Sequence, residues 1–171
     1  SSGPLGSGLS QAVGMAIADR IDRGQNSGRF FYCLTGDGEL NEGQNWEAMM
    51  LGAKERLHNL IMIVDRNNIQ IDGYTENIMP LNDLSKKFES FNWHVQEIDG
   101  HNFSAIATAI GKAKAYFEKP SVIIARTIPG KGVKEFERDF HWHGMAPNKE
   151  QAEMALKELR TLGNVIRSEH E

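Results

Sequence analysis

Three short apolar runs, "RFFYCLT" (29–35), "NLIMIVD" (59–65) and "SVIIART" (121–127), most constrain what this chain can fold into. Each is too short for a buried helix and rich in β-branched or aromatic residues, so each reads as a buried strand. Between them lie stretches with apolar residues at helical spacing. "GLSQAVGMAIADRIDRG" (8–24) places Leu9, Val13, Ala16, Ile17 and Ile21 on one stripe, with Gly24 as a stop. "NEGQNWEAMMLGAKER" (41–56), "LNDLSKKFESF" (81–91) and "NFSAIATAIGKAKAYFE" (102–118) read as further helices, the last with Asn102 or Ser104 as its cap. "WHVQEID" (93–99) alternates like a strand, and "IQIDG" (69–73) is a short extended piece closing in a turn. Strands alternating with helices predict an α/β fold: a parallel sheet flanked by helices on both faces. The segment 128–148 has little periodicity and reads as a long loop, and 149–171 as a polar-faced C-terminal helix. The 171 residues suffice for one domain spanning 1–171.

A net charge of −4 argues against a general nucleic-acid binder, because phosphate backbones call for a basic surface. No apolar stretch reaches the roughly 18 residues of a membrane helix, so no membrane association is expected. The opening "SSGPLGSGLS" has no basic or apolar signal region and no initiator Met. The expectation is a cytoplasmic protein from which this chain is an N-terminally incomplete piece. The single Cys33 cannot form an internal disulfide and reads as a small buried side chain.

In an open α/β sheet, ligands sit beyond the carboxyl ends of the strands. Asp37 stands at such an end, between Gly36 and Gly38, and three readings compete for it. A calcium loop starting at Asp37 needs Gly at its sixth position and an acid at its twelfth, but Glu42 and Ala48 stand there. A plain Asp-Gly turn remains open. So does a carboxylate aimed at a metal that holds a phosphate. After a 28-residue spacer (39–66), Asn67-Asn68 follows the next strand. A carboxylate and an amide oxygen from neighbouring strand ends can meet at one hard cation. Glycines on both sides of Asp37 let backbone N–H groups approach phosphate oxygens.

"GDG", a spacer near 28 residues and "NN" resemble the thiamine diphosphate motif. "SSGPLGSGLSQAVGMAIA", "GDGELNEGQNWEAM", "DRNNIQIDG", "FNWHVQEIDGHN" and "HWHGMAPN" resemble transketolase in the same order over nearly the whole chain. The likeness is to split transketolases, whose N-terminal subunit corresponds to this half. It implies a thiamine diphosphate-binding fold of the diphosphate-binding type and Mg²⁺ or Ca²⁺ held by the Asp37 carboxylate, the Asn67 side-chain oxygen and the Ile69 carbonyl. It places Gly36 and Gly38 at the diphosphate and Gly3-Pro4-Leu5 along the cofactor rings, with Gly6 and Gly8 opening the first helix. His143 would lie near the reacting carbon, binding a substrate hydroxyl and moving protons, and 128–148 would be the active-site loop. Glu42 would be an acid coupling paired sites across a subunit interface; read without the resemblance, it is a first-turn helix Glu.

The resemblance further implies ketol transfer between sugar phosphates in the pentose phosphate pathway. That requires a pyrimidine-binding domain or C-terminal subunit, in a dimer or heterotetramer. Two related alternatives share the motif: deoxyxylulose-phosphate synthase and the first component of 2-oxo-acid dehydrogenases. A structural subunit without catalysis is a third. "GPLGSG" and "HWHG" favour transketolase. A nucleotide-binding P-loop is excluded, since no G-x-x-x-x-G-K-[ST] occurs. His141 pairs with His143 as H-x-H, but no third zinc ligand is evident. His101 reads as a turn residue, Lys131 as a solvated loop lysine, and Trp46, Met49 and Met50 as core.

Overall fold

The computed structural model describes residues 3–24 and 27–161. Four parallel strands, β1 (Phe31–Gly36), β2 (Leu60–Arg66), β5 (His94–Asp99) and β6 (Ser121–Arg126), form one sheet in the order β1-β2-β6-β5. The register sets Gly36 opposite Asp65, Asp65 opposite Ala125, and Asp99 opposite Arg126. The carboxyl ends of all four strands therefore finish along one edge, and the charged and glycine residues gather there. A two-residue hairpin, β3 (Ile69–Gln70) with β4 (Gly73–Tyr74), follows β2.

Helices α1 (Gly8–Arg23), α2 (Gly43–Lys54) and α4 (Leu84–Ser90) cover one face of the sheet. Leu9, Val13, Met49 and Phe88 pack there against Met62, Val64, Val122 and Ile124. Helix α5 (Phe103–Lys114) covers the other face, with Ala109 and Ala113 on Ile61 and Ile123. The outer part of that second face is open: Tyr32 and Leu34 on edge strand β1 are exposed, opposite in parity to the buried Cys33 and Thr35. No described helix is long and apolar enough to cross a membrane.

Two expected core residues lie outside the core. Ile21 is exposed, because α1 buries the stripe Leu9, Ala12, Val13, Ala16 and Asp19, and Ile21 lies well round the helix from it. Met50 is exposed as well: one residue beyond buried Met49, it is rotated about 100° around α2. Helix α5 is capped by Asn102, whose Oδ1 accepts from Ala105 N–H at 3.0 Å, and not by Ser104. The expected helix over 81–91 begins at Leu84, and a separate turn of helix, α3 (Thr75–Ile78), precedes it. Helix α6 (Lys149–Thr161) follows the long loop; residues 162–171 of the expected terminal helix lie outside the described residues.

Cys33 is buried, and burial, helped by the charge of Glu39, pushes its thiol up to about 11. The thiol therefore stays protonated in the folded chain across the neutral range. At pH 8 the native chain should react with iodoacetamide about a hundredfold more slowly than the urea-unfolded chain. Equal rates would mean that Cys33 is reached without unfolding.

Candidate functional site

The strand-end edge places Asp37 at the centre of a dense set of donors. Asp37 is 1% exposed and caps a short 3-10 turn, Gly38–Asn41. Its Oδ1 accepts from Gly38 N–H at 2.7 Å and from the Thr75 hydroxyl at 3.2 Å. Its Oδ2 accepts from Asn68 N–H at 2.7 Å and from the Arg66 guanidinium at 2.6 Å. A carboxylate this deeply buried is tolerated because it is paired and fully hydrogen-bonded. The turn thus fixes the carboxylate at the strand end, where the Gly38, Asn68, Thr75 and Arg66 donors occupy it.

Asn67 follows β2 in an Asx turn. Its Nδ2 donates to Asp65 Oδ2 at 3.0 Å, and its Oδ1 accepts from Ile69 N–H at 3.0 Å. Asn68 adopts φ 61°, a left-handed conformation that asparagine tolerates better than most residues. The Asn68 N–H donates to Asp37, and the left-handed residue sends the chain on into β3. Carboxylate, amide oxygen and peptide carbonyl are the hard oxygen donors that Mg²⁺ or Ca²⁺ takes, so Asp37, Asn67 and Ile69 fit such an ion in kind. Among the described residues, no three His, Cys, Asp or Glu side chains gather as a metal site. His141 Nδ1 contacts Asp139 Oδ1 at 2.6 Å, within the exposed loop.

A cavity of about 440 Å³ lies against the Asn67–Ile69 segment, and its other wall is the loop 128–148, including Gly130, Trp142 and His143. His143 ends a 3-10 turn, Phe140–His143, and is exposed on its rim. The loop is anchored at several points. His101 Nε2 accepts from Ile128 N–H at 2.8 Å, and His101 N–H donates to Asp99 at 2.8 Å, so His101 fastens the loop's start to the end of β5. Phe136 packs on Trp142 with centroids 4.2 Å apart, and Phe140 meets Tyr74 edge-on at 5.4 Å. Gly130 (φ 72°) is obligatory here, because a Cβ would stand 2.6 Å from the Phe136 backbone. A second cavity, of about 490 Å³, also borders Asn67–Ile69 and carries Arg66, Glu76, Arg126 and Arg138.

Gly3, Pro4 and Leu5 are exposed on the approach to α1. Gly6 (φ 86°) packs so tightly on Glu42 that a Cβ would lie 2.7 Å from the Glu42 Cβ. Glu42 opens α2 without a side-chain capping bond and faces outward. Glu39, which the motif does not single out, ties these parts together. Its Oε1 accepts from Gly6 N–H at 2.7 Å and its Oε2 from Gly36 N–H at 3.2 Å. Arg66 and Thr75 also carry no signal in the sequence, although they hold Asp37 directly.

The family model for "Transketolase, thiamine diphosphate binding domain" matches residues 1–163. The 6-deoxy-6-sulfo-D-fructose transketolase subunit SqwG of Clostridium sp. (strain MSTE9) is 45% identical over 94% of this chain and 58% of its own length. An apulose-4-phosphate transketolase subunit of Actinobacillus succinogenes is 40% identical over 92% of this chain and 56% of its own. The crystal structure of transketolase from Campylobacter jejuni superposes with a TM-score of 0.83 at 35% identity, covering 92% of this chain and 25% of that one. The chain thus spans rather more than half the length of the two subunits. It belongs to the transketolase family, within which it matches the thiamine diphosphate-binding domain.

Proposed function

We propose that this chain is the diphosphate-binding part of a transketolase, moving a two-carbon ketol unit from a ketose phosphate to an aldose phosphate. The observation that carries this reading is that Asn67, Ile69 and His143 face one cavity, joined through the Asn68 N–H to the buried carboxylate of Asp37. Asp37, Asn67 and the Ile69 carbonyl would hold Mg²⁺ or Ca²⁺, with the bare backbone of Gly36 and Gly38 leaving room for the diphosphate while their N–H groups donate to Glu39 and Asp37. Gly3-Pro4-Leu5 would lie along the cofactor rings. Thiamine diphosphate, when bound, supplies the electron sink for chemistry at a ketose carbonyl. His143, on the cavity rim, would bind a substrate hydroxyl and move its proton.

The residues 1–171 read as one diphosphate-binding domain, with 128–148 as the active-site loop. Relatives named as transketolase subunits support a partner that carries the pyrimidine-binding half, in a dimer or heterotetramer. The outward-facing Glu42 suits such an interface. The expected setting is the cytoplasm and the pentose phosphate pathway. The test is ketol transfer from a ketose phosphate, measured for the purified chain with and without the pyrimidine-domain partner. Activity only in the mixture supports the reading. Turnover by the chain alone, or none in a folded complex that binds cofactor, would overturn it.

A further inference from the structure

Four donors converge on Asp37: two backbone N–H groups, the Thr75 hydroxyl and one guanidinium. An ionised carboxylate offers about four lone-pair directions, so in this structure Asp37 has none left for a metal. One donor must withdraw before a cation can bind. Gly38 N–H and Asn68 N–H are fixed by the backbone of the two turns. The Thr75 hydroxyl is neutral and does not repel a cation. Arg66 is charged, reaches the carboxylate by a flexible stem, and already holds a second acceptor. Its Nη2 lies 2.5 Å from Glu76 Oε1. Glu76 is itself fixed by Leu81 N–H at 3.1 Å and Asn82 N–H at 3.3 Å. Arg66 also borders the 490 Å³ cavity, which gives the guanidinium room to move away from Asp37.

We propose that Arg66 is the internal counter-ion of the metal site: it neutralises Asp37 while the metal is absent and withdraws onto Glu76 when a divalent cation takes the carboxylate. The inference rests on the metal-site reading of Asp37, Asn67 and Ile69 given above. The arrangement explains how the sequence keeps a buried carboxylate at a strand end without unfolding the metal-free chain. Arg66 is 10% exposed in its side chain and Asp37 1%. Without the guanidinium, a nearly solvent-free charge would stand uncompensated. The same contact makes the arginine a competitor of the metal, since two cations at one carboxylate repel each other in a poorly solvated site. Glu76 is the acceptor that lowers the barrier to exchange, because the guanidinium never loses its last partner. Arg66 is therefore a positioning residue that sets metal affinity.

The test uses the complete protein with its partner, stripped of metal, saturated with thiamine diphosphate and titrated with Mg²⁺ by calorimetry. Arg66→Met should bind Mg²⁺ about tenfold more tightly than wild type, and its metal-free form should melt at a lower temperature. Glu76→Gln should bind Mg²⁺ about threefold or more weakly, because the guanidinium is then left to Asp37 alone. Opposite signs in the two variants distinguish an exchanging counter-ion from a fixed support. Weaker or unchanged binding in folded Arg66→Met overturns the proposal. If Arg66→Met does not fold, Glu76→Gln decides: weaker binding supports the proposal, and unchanged or tighter binding overturns it. Asp37→Ala separates the two levels of argument. If wild type shows no Mg²⁺-dependent heat, or Asp37→Ala binds as wild type does, the metal-site reading falls and this proposal with it.

Discussion

Asp37→Ala is expected to weaken Mg²⁺-dependent binding of thiamine diphosphate by about a hundredfold or more, a loss on the scale that altering a metal's supporting ligands produces. The argument begins with the turn. Gly36, Asp37 and Gly38 end β1 where the register sets Gly36 opposite Asp65, and Asp37 N–H donates to the Asp65 carbonyl at 3.1 Å. The backbone is thus pinned to the neighbouring strand, and alanine can take the same conformation (φ −67°, ψ −40°). What the substitution removes is the carboxylate alone. It also strands Gly38 N–H, Asn68 N–H, the Thr75 hydroxyl and one arm of Arg66. Leaving buried groups unsatisfied costs about 1–3 kcal/mol each, so some loss of stability accompanies the loss of binding. A calorimetric titration of cofactor with and without Mg²⁺ reads the effect. Unchanged, metal-dependent affinity in the folded variant would reduce Asp37 to a structural turn residue.

Asp37 and Asn67 drew attention through local chemistry, an acid between glycines and an amide pair after an apolar run, whereas His143 was singled out only by the resemblance of "HWHGMAPN" to transketolase. The parallel sheet was legible for a similar reason, since three apolar runs and their intervening helices leave few other arrangements. What stayed hidden was the set of side chains that hold these residues. Arg66 lies 29 residues from Asp37 in sequence, Thr75 38 residues, and Glu39 33 residues from Gly6. Nothing in a local pattern links such positions; strand order and register bring them together. Sequence reading assigns no role to Arg66 or Glu39, and only the fold makes one a counter-ion of Asp37 and the other a clasp between two glycine segments. The misjudged Ile21 and Met50 follow from the same limit. Helical spacing identifies a stripe, but which edge of that stripe meets the sheet depends on the angle at which the helix docks.

Trp93→Ala should lower stability by about 3–5 kcal/mol, the range for deleting a large buried aromatic. At this chain length that is a fall in melting temperature of about 6–20 °C. Trp93 is 1% exposed and stands just before β5. Its indole N–H donates to the Met49 carbonyl on α2 at 3.1 Å, and its ring lies 6.4 Å from that of Phe88 on α4. Gly52 of α2 makes room for it: a Cβ there would lie 3.3 Å from the indole. One side chain therefore joins β5, α2 and α4. Helix α2 is launched by the turn that carries Asp37, and β5 ends at Asp99 and His101, which fasten the loop bearing His143. Loss of Trp93 should consequently loosen both walls of the site while leaving every proposed ligand in place. Thermal melts with and without Mg²⁺ and thiamine diphosphate distinguish the two kinds of damage. Trp93→Ala should melt early yet still gain stability when cofactor and metal are added, because the ligands that bind them remain. Asp37→Ala should also melt early, through the donors it strands, but gain almost nothing when cofactor and metal are added. If Trp93→Ala melts within about 2 °C of wild type, the packing between α2 and β5 is not what holds the two walls in register.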